Sequence, residues 1–271
     1  MAEDLVIERD GVGLACQRFG EPGPAVLLLH GLAGYGGEWA GVAAWLSEEG
    51  HCVVALDARG HGGSERRPRE VSLAAHVADA AWVIEQLGLA PCVVIGQSLG
   101  GLVGILLAAE HPHAVEGLVV VEGGPDAVGA EVIRKVTESL SSWPVPFASR
   151  AAAVEYFQGR SMDGEVWAGG LERRDDGLWP RFDLDVLERT LREAPPGSYG
   201  AAWQGIRCPT LIVRASDGVL DPAYVREEML DRLAASRLVE IDGGGHDVHL
   251  SRPAEFRDAL KGFLAEVWER R

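Results

Sequence analysis

Val93-Val94-Ile95-Gly96-Gln97-Ser98-Leu99-Gly100-Gly101 is the stretch that decides the fold. An apolar run from Cys92 to Ile95 leads into Gly-x-Ser-x-Gly, and an Ala/Leu-rich helical pattern, Leu99 to Ala109, follows at once. Strand, sharp turn and helix therefore meet at one serine. Such a turn needs glycine on both sides of Ser98, because the serine's backbone is strained and the strand and helix approach closely. The hydroxyl then projects from the carboxyl edge of a sheet, and a base, an orienting acid and an oxyanion site must be supplied elsewhere.

Outward from that turn, strands and helices alternate. Val6–Arg9 and Leu14–Arg18 flank Asp10-Gly11 and predict an opening β-hairpin. Ala25–Leu29, Cys52–Leu56, Cys92–Ile95, Gly117–Val121, Thr210–Val213 and Leu238–Ile241 are short aliphatic runs of the kind buried on both faces of a parallel sheet. Helices are predicted around Glu38–Glu49, from Ser72 to Leu87, at Leu99–Ala109, near Ala223–Ala234 and from Pro253 to Trp268. This rhythm predicts an α/β chain with a doubly wound sheet. It breaks between 126 and 207, where only helical stretches (130–140, 151–157, 184–192) are legible. Eighty-odd residues exceed any ordinary connection, so 126–207 is expected to be a helical cap inserted in a core made of 1–125 and 208–271. The insertion carries Trp143, Trp167, Trp179 and Trp203, expected to fill a core of the segment's own, to wall an apolar pocket above Ser98, or to divide between the two. Arg66-Arg67-Pro68-Arg69 reads as a solvated loop.

Composition narrows the function. The net charge of −16 over 271 residues would repel a phosphate backbone, which excludes nucleic acid. No apolar run approaches the ~20 residues of a membrane span, and residues 1–5 lack the features of a secretory signal. Cys16, Cys52, Cys92 and Cys208 are scattered among strand-like runs, which points to buried thiols and a cytoplasmic protein. No metal-ligand cluster, P-loop or dinucleotide fingerprint is present, so no cofactor is expected.

A serine hydroxyl needs a base within hydrogen-bond reach. Catalytic groups of a parallel sheet sit on loops at the carboxyl ends of strands. That singles out His30, His61, His246 and His249 among eight histidines, and His246, in the glycine-rich Asp242–His246 loop after the last strand, is the first choice. His61 is expected to fix its own turn. The imidazole needs a carboxylate partner. Asp217, after the penultimate strand, is the first choice, with Glu122 as competitor and Asp221 behind both. Oxyanion donors would be the backbone N–H groups of Leu99 and of Leu32, in the His30-Gly31-Leu32 turn. His30 and Gly31 join the four insertion tryptophans as candidate substrate-binding residues.

With His30-Gly31-Leu32, Asp57-Ala58-Arg59-Gly60-His61-Gly62-Gly63-Ser64, Gly96-Gln97-Ser98-Leu99-Gly100-Gly101, Asp217 and Gly245-His246 in view, the sequence resembles the α/β-hydrolase superfamily over essentially its whole length. The resemblance implies an eight-stranded, mostly parallel sheet with one antiparallel strand, and a helical cap after strand six, where 126–207 falls. It also implies the triad order Ser98, Asp217, His246. Within the superfamily the chain looks closest to small capped esterases and lactonases. Relatives that use an elbow aspartate, the haloalkane dehalogenases and epoxide hydrolases, are disfavoured by Ser98. One departure stands out. The family's turn before the acid is Gly-x-x-Asp, whereas Ala215-Ser216-Asp217-Gly218 lacks that glycine and places its aspartate one residue early.

The expected activity is hydrolysis of small to medium, fairly apolar carboxylic esters or lactones through an acyl-enzyme on Ser98. A carbon–carbon bond hydrolase or cofactor-free perhydrolase on the same triad is the alternative within enzymes. A slow, receptor-like ligand binder is the alternative from another class.

Overall fold

A computed structural model describes residues 2–126, 129–193 and 199–269. Ten strands run in chain order: β1 (Glu3–Arg9), β2 (Val12–Phe19), β3 (Ala25–Leu29), β4 (Cys52–Leu56), β5 (Cys92–Gln97), β6 (Val115–Val121), β7 (Leu171–Arg174), β8 (Gly177–Pro180), β9 (Thr210–Ala215) and β10 (Ser236–Ile241). Eight of them form one sheet in the order β1-β2-β4-β3-β5-β6-β9-β10. β2 pairs antiparallel with both β1 and β4, and every other pairing is parallel. The Asp10-Gly11 turn, with both residues at positive φ, closes the β1–β2 hairpin as its sequence predicts.

The aliphatic runs are continuous because both sheet faces are covered. Along β5, Cys92 and Val94 point into one apolar layer while Val93 and Ile95 point into the other. The first layer lies under α2 (Leu73–Gln86) and α3 (Leu99–Glu110), and the second under α1 (Ala40–Glu48) and the C-terminal helix Pro253–Trp268. Ser72 caps α2, its hydroxyl accepting from the Ala75 N–H at 3.2 Å. Register matters more than burial for the site. Leu29 pairs with Gly96, Gln97 with Val121, Val121 with Val213 and Ala215 with Ile241. The ladder then runs one residue further, the Ser98, Glu122 and Ser216 N–H groups donating to the Val121, Val213 and Ile241 carbonyls. Four adjacent strands thus end level, and their loops emerge side by side.

Between β6 and β9 the chain leaves the sheet. Helices cover Ala130–Ser141, Arg150–Gln158, Gly164–Gly169, Leu184–Glu193 and Gly200–Gly205, with β7 and β8 forming a separate antiparallel hairpin. The purely helical expectation for this segment is therefore corrected. Asp175-Asp176 turns the hairpin, but Leu-Glu-Arg-Arg is short and charged and Gly-Leu-Trp-Pro begins in glycine and ends in proline, so neither reads as a strand. Trp143, Phe147, Phe157, Leu178, Phe182 and Leu187 make an apolar core of the segment's own, with Ala33 from the sheet side. Residues 127–128 and 194–198, part of the expected cap 126–207, lie outside the described residues.

The Arg66-Arg67 stretch is not a free loop either. Arg66 donates to Asp183 (2.8 Å), Glu172 (3.1 Å) and the Pro180 and Phe182 carbonyls (3.2 and 2.8 Å), and Arg67 pairs with Asp183 and Asp185. Those carboxylates belong to the β7–β8 segment and the start of the Leu184–Glu193 helix, so the basic stretch fastens that segment to the core. Among the described residues no helix is long and apolar enough to cross a membrane.

Candidate active site

Ser98 sits between β5 and α3 with φ 52° and ψ −113°, a conformation an L-residue holds only under constraint. The constraint is packing on both sides. A Cβ on Gly96 would overlap the Gly100 carbonyl, and one on Gly100 would overlap the Leu29 and His30 carbonyls. Gly123, from the neighbouring loop, lies so close that its Cβ would stand 2.9 Å from the Ser98 carbonyl oxygen. The two flanking glycines are thus required by close approach, as the sequence implies.

The His30-Gly31-Leu32 turn abuts the elbow from β3. His30 is buried, donates from Nδ1 to the Gly31 carbonyl (2.7 Å) and accepts at Nε2 from the Ala58 N–H (2.9 Å), and burial pushes its pKa down to about 4. A neutral ring therefore stitches the turn to the chain just beyond β4, with both ring nitrogens occupied. His61 likewise pairs with its own turn through the Arg59 carbonyl (3.0 Å). Glu38 is buried behind the same turn. Desolvation, reinforced by Asp247 and Asp57, holds its carboxyl well above the usual range. Among the described residues neither the Leu32 nor the Leu99 N–H has a protein acceptor, so both donors stand free beside Ser98.

Gln97 connects these parts. Its side chain is buried, its Nε2 donates to the His246 carbonyl (3.1 Å), and its Oε1 occupies the space a Cβ on Gly31 would take. One amide thereby spans the His30-Gly31-Leu32 turn, the elbow and the histidine loop. The sequence does not single it out, because the variable residue of Gly-x-Ser-x-Gly carries no chemical signature of its own.

His246 follows β10 with its ring about two-fifths exposed. Its Nδ1 faces Oε2 of Glu122 at 3.9 Å, and Glu122 is fully buried. The Glu122 carboxylate is itself clamped across the strands, accepting from the Ala215 N–H (2.6 Å) and the Val219 N–H (2.7 Å). Asp217, the first choice from the sequence, lies elsewhere. It is exposed, and its Oδ1 accepts from the Gly245 backbone N–H (2.8 Å), buttressing the histidine loop rather than facing the ring. Asp221 caps the next helix through the Ala223 and Tyr224 N–H groups. The Glu122 carboxylate fills the corresponding space beside β9. Counted from Ala215, the position of the aspartate in Gly-x-x-Asp is Gly218, and a Cβ there would overlap the Glu122 carboxylate.

The insertion's tryptophans divide. Trp143 meets Phe157, Trp167 and Phe182 edge-on and Trp167 meets Phe157 at a tilt, at ring-centroid distances of 4.9–5.9 Å, and Leu32 and Ala33 pack against that cluster. Trp167 also donates from Nε1 to Asp247 (3.1 Å), next to His246. Trp203 is instead fully buried in the sheet's own core, donating to the Met229 carbonyl (2.9 Å). Trp179 bonds Asp176 (2.8 Å) beneath Arg174 on the hairpin. Neither belongs to the aromatic cluster against which Leu32 packs. Among the described residues no group of His, Cys, Asp and Glu could hold a metal ion.

Known proteins agree with this architecture. Residues 24–253 match the family described as alpha/beta hydrolase fold. The chain is 29% identical to the mouse (Mus musculus) sn-1-specific diacylglycerol lipase ABHD11, over 89% of this chain and 81% of that protein. It is 30% identical to the putative carbamate hydrolase RutD of Escherichia coli O9:H4 (strain HS), over 92% and 94%. The crystal structure of E-2-(acetamidomethylene)succinate hydrolase superposes with a TM-score of 0.89 at 21% identity, covering 98% of this chain and 100% of that one, which speaks to the fold alone. The chain therefore belongs to the α/β-hydrolase family and is a hydrolase.

Proposed function

We propose that the protein hydrolyses carboxylic esters or lactones through an acyl-enzyme on Ser98, with His246 as base and Glu122 as the acid that orients it. The observation that carries this reading is the alignment of Ser98, Glu122 and His246 on the ends of β5, β6 and β10, with Glu122 facing His246 Nδ1. A shift of about 1 Å closes that approach to a hydrogen bond, and catalytic contacts commonly tighten only when substrate binds.

In the reaction, Ser98 Oγ attacks the acyl carbon while His246 Nε2 takes its proton. The carbonyl electron pair moves onto oxygen, where the Leu32 and Leu99 N–H groups receive the charge. Glu122 balances the imidazolium from the Nδ1 side. The intermediate collapses, the alcohol leaves with the proton from His246, and the acyl group remains on Ser98. A water deprotonated by His246 then attacks the acyl carbon, and the intermediate collapses to the acid as His246 returns the proton to the departing Ser98 Oγ. Residues 126–207 act as the cap: the Trp143–Trp167–Phe182 cluster stands over Leu32 and Ala33 and favours an apolar substrate body. The buried free thiols Cys16, Cys52, Cys92 and Cys208 support a cytoplasmic setting.

Labelling with a fluorophosphonate, together with turnover of 4-nitrophenyl esters of graded chain length beside lactones, tests the reading. Wild type should label and turn over, and Ser98→Ala should do neither while remaining folded. A folded wild type that does not label would remove the nucleophile from the account.

A further inference from the structure

Arg181 differs from four ion-paired arginines of the same region. Arg66, Arg67, Arg150 and Arg174 each end on a carboxylate. Arg181 makes no ion pair with any described residue, and its Nε is buried without a partner. A buried guanidinium N–H with no acceptor costs free energy that an arriving acceptor recovers.

Its position follows from the hairpin register. Leu171 pairs with Pro180, so Arg181 continues beyond β8 beside Gly170, which precedes β7. Gly170 lies against the Tyr35 ring, where an added Cβ would be 3.0 Å from two ring carbons, and the Tyr35 hydroxyl donates to the Val166 carbonyl (3.0 Å). Tyr35 is three residues past Leu32 in the oxyanion turn, and Phe182, next to Arg181, packs with Trp143 in the cluster that Leu32 joins. Arg66 holds the carbonyls on both sides of Arg181, those of Pro180 and Phe182, so the backbone that carries the guanidinium is fixed. The Arg181 charge acts on Tyr35 and Asp57, the latter already accepting at both oxygens from the Gly36 and Gly63 N–H groups (2.5 and 2.6 Å).

We propose that Arg181 binds a carboxylate carried by the substrate, so that the preferred substrates are half-esters of dicarboxylic acids or esters of similar charge, with the ester carbonyl at Leu32/Leu99 and the free carboxylate at Arg181. This rests on the serine-hydrolase reading above and specifies its substrate class. In a chain of net charge −16, an anionic substrate needs such a local cation, and a planar guanidinium suits a carboxylate's two oxygens.

The test compares kcat/KM on 4-nitrophenyl butanoate and 4-nitrophenyl hemisuccinate, in which a carboxylate replaces the terminal methyl. In Arg181→Gln the hemisuccinate-to-butanoate ratio should fall roughly 10- to 100-fold, the range of one charge-assisted contact, chiefly through KM. Arg181→Lys, which keeps the charge but not the fork, should fall between. Free glutarate should raise the melting temperature of wild type and not of Arg181→Gln. An unchanged ratio in a folded Arg181→Gln, with glutarate protecting both proteins alike, would reduce Arg181 to a counter-charge for Asp57. If neither ester turns over and Ser98 does not label, the hydrolase reading itself fails, and Arg181-dependent glutarate protection still decides the carboxylate site.

Discussion

The carboxylate of Glu122 fills the volume that a side chain at Gly218 would occupy. The two positions lie at the ends of the paired strands β6 and β9, and the Ala215 and Val219 N–H groups on either side of Gly218 hold the carboxylate there. Glycine at 218 and glutamate at 122 are therefore one arrangement: the carboxylate lies in space that the shorter residue leaves open, and in the proposed triad it faces His246 from the neighbouring strand. Glu122 also adopts φ 47°, a left-handed conformation that a glutamate holds only at some cost.

If the two positions exchange one function, moving the acid back should restore activity. Glu122→Ala alone is expected to lower kcat by roughly 10³–10⁴-fold, the scale of a disabled triad acid. Adding Gly218→Asp should recover at least about tenfold of that loss. Steady-state kinetics on one 4-nitrophenyl ester decide it, and a double variant as slow as the single one would argue against the shared site.

Gln97 should matter through geometry alone. Gln97→Ala removes the bond to the His246 carbonyl and the contact with Gly31, so kcat is expected to drop by about tenfold, in line with one or two neutral hydrogen bonds. Fluorophosphonate should still label Ser98, more slowly. An unaltered labelling rate would show that the loop is positioned without this amide.

Arg66 fastens the β7–β8 segment by four bonds. Arg66→Ala should therefore speed limited proteolysis within 171–193 by several-fold, while cleavage elsewhere is unaltered. Mass spectrometry of the fragments checks the location. Uniformly faster cleavage would indicate general destabilisation instead.

Arg59 and Asp79 form a doubly hydrogen-bonded pair, both about 3% exposed, with bonds of 2.6 Å from Nε and Nη2. Asp79→Asn leaves a buried guanidinium without its counter-charge, which costs roughly 3–5 kcal/mol. For a chain of this size that corresponds to a melting temperature lower by about 10 °C. A thermal shift below about 2 °C would show that water or Arg9 movement relieves the charge.

Much of this was legible in the sequence, for local reasons. The aliphatic runs, the Asp10-Gly11 hairpin and the elbow around Ser98 are set by residues adjacent in the chain, and the structure reproduces them. The placement of Glu122 against His246 was only half legible. Both residues follow strands, but which carboxylate meets the ring depends on how level β6, β9 and β10 end and on the empty side of Gly218. Trp203 and Trp167 have the same residue type within one segment, yet one fills the sheet core and the other the insertion's core, a difference of chain path that composition does not carry. Arg66 and Arg67 read as solvated because their partners, Glu172, Asp183 and Asp185, are over a hundred residues away.

The central claim is that Glu122, and not Asp217, serves His246. Measuring kcat for Glu122→Gln and Asp217→Asn on the same ester, with folding checked by circular dichroism, tests it most directly. Glu122→Gln should lose roughly 10³–10⁴-fold and Asp217→Asn less than about tenfold, since Asp217 only supports the Gly245 N–H. The reverse order, with Asp217→Asn the crippled variant, would contradict the account.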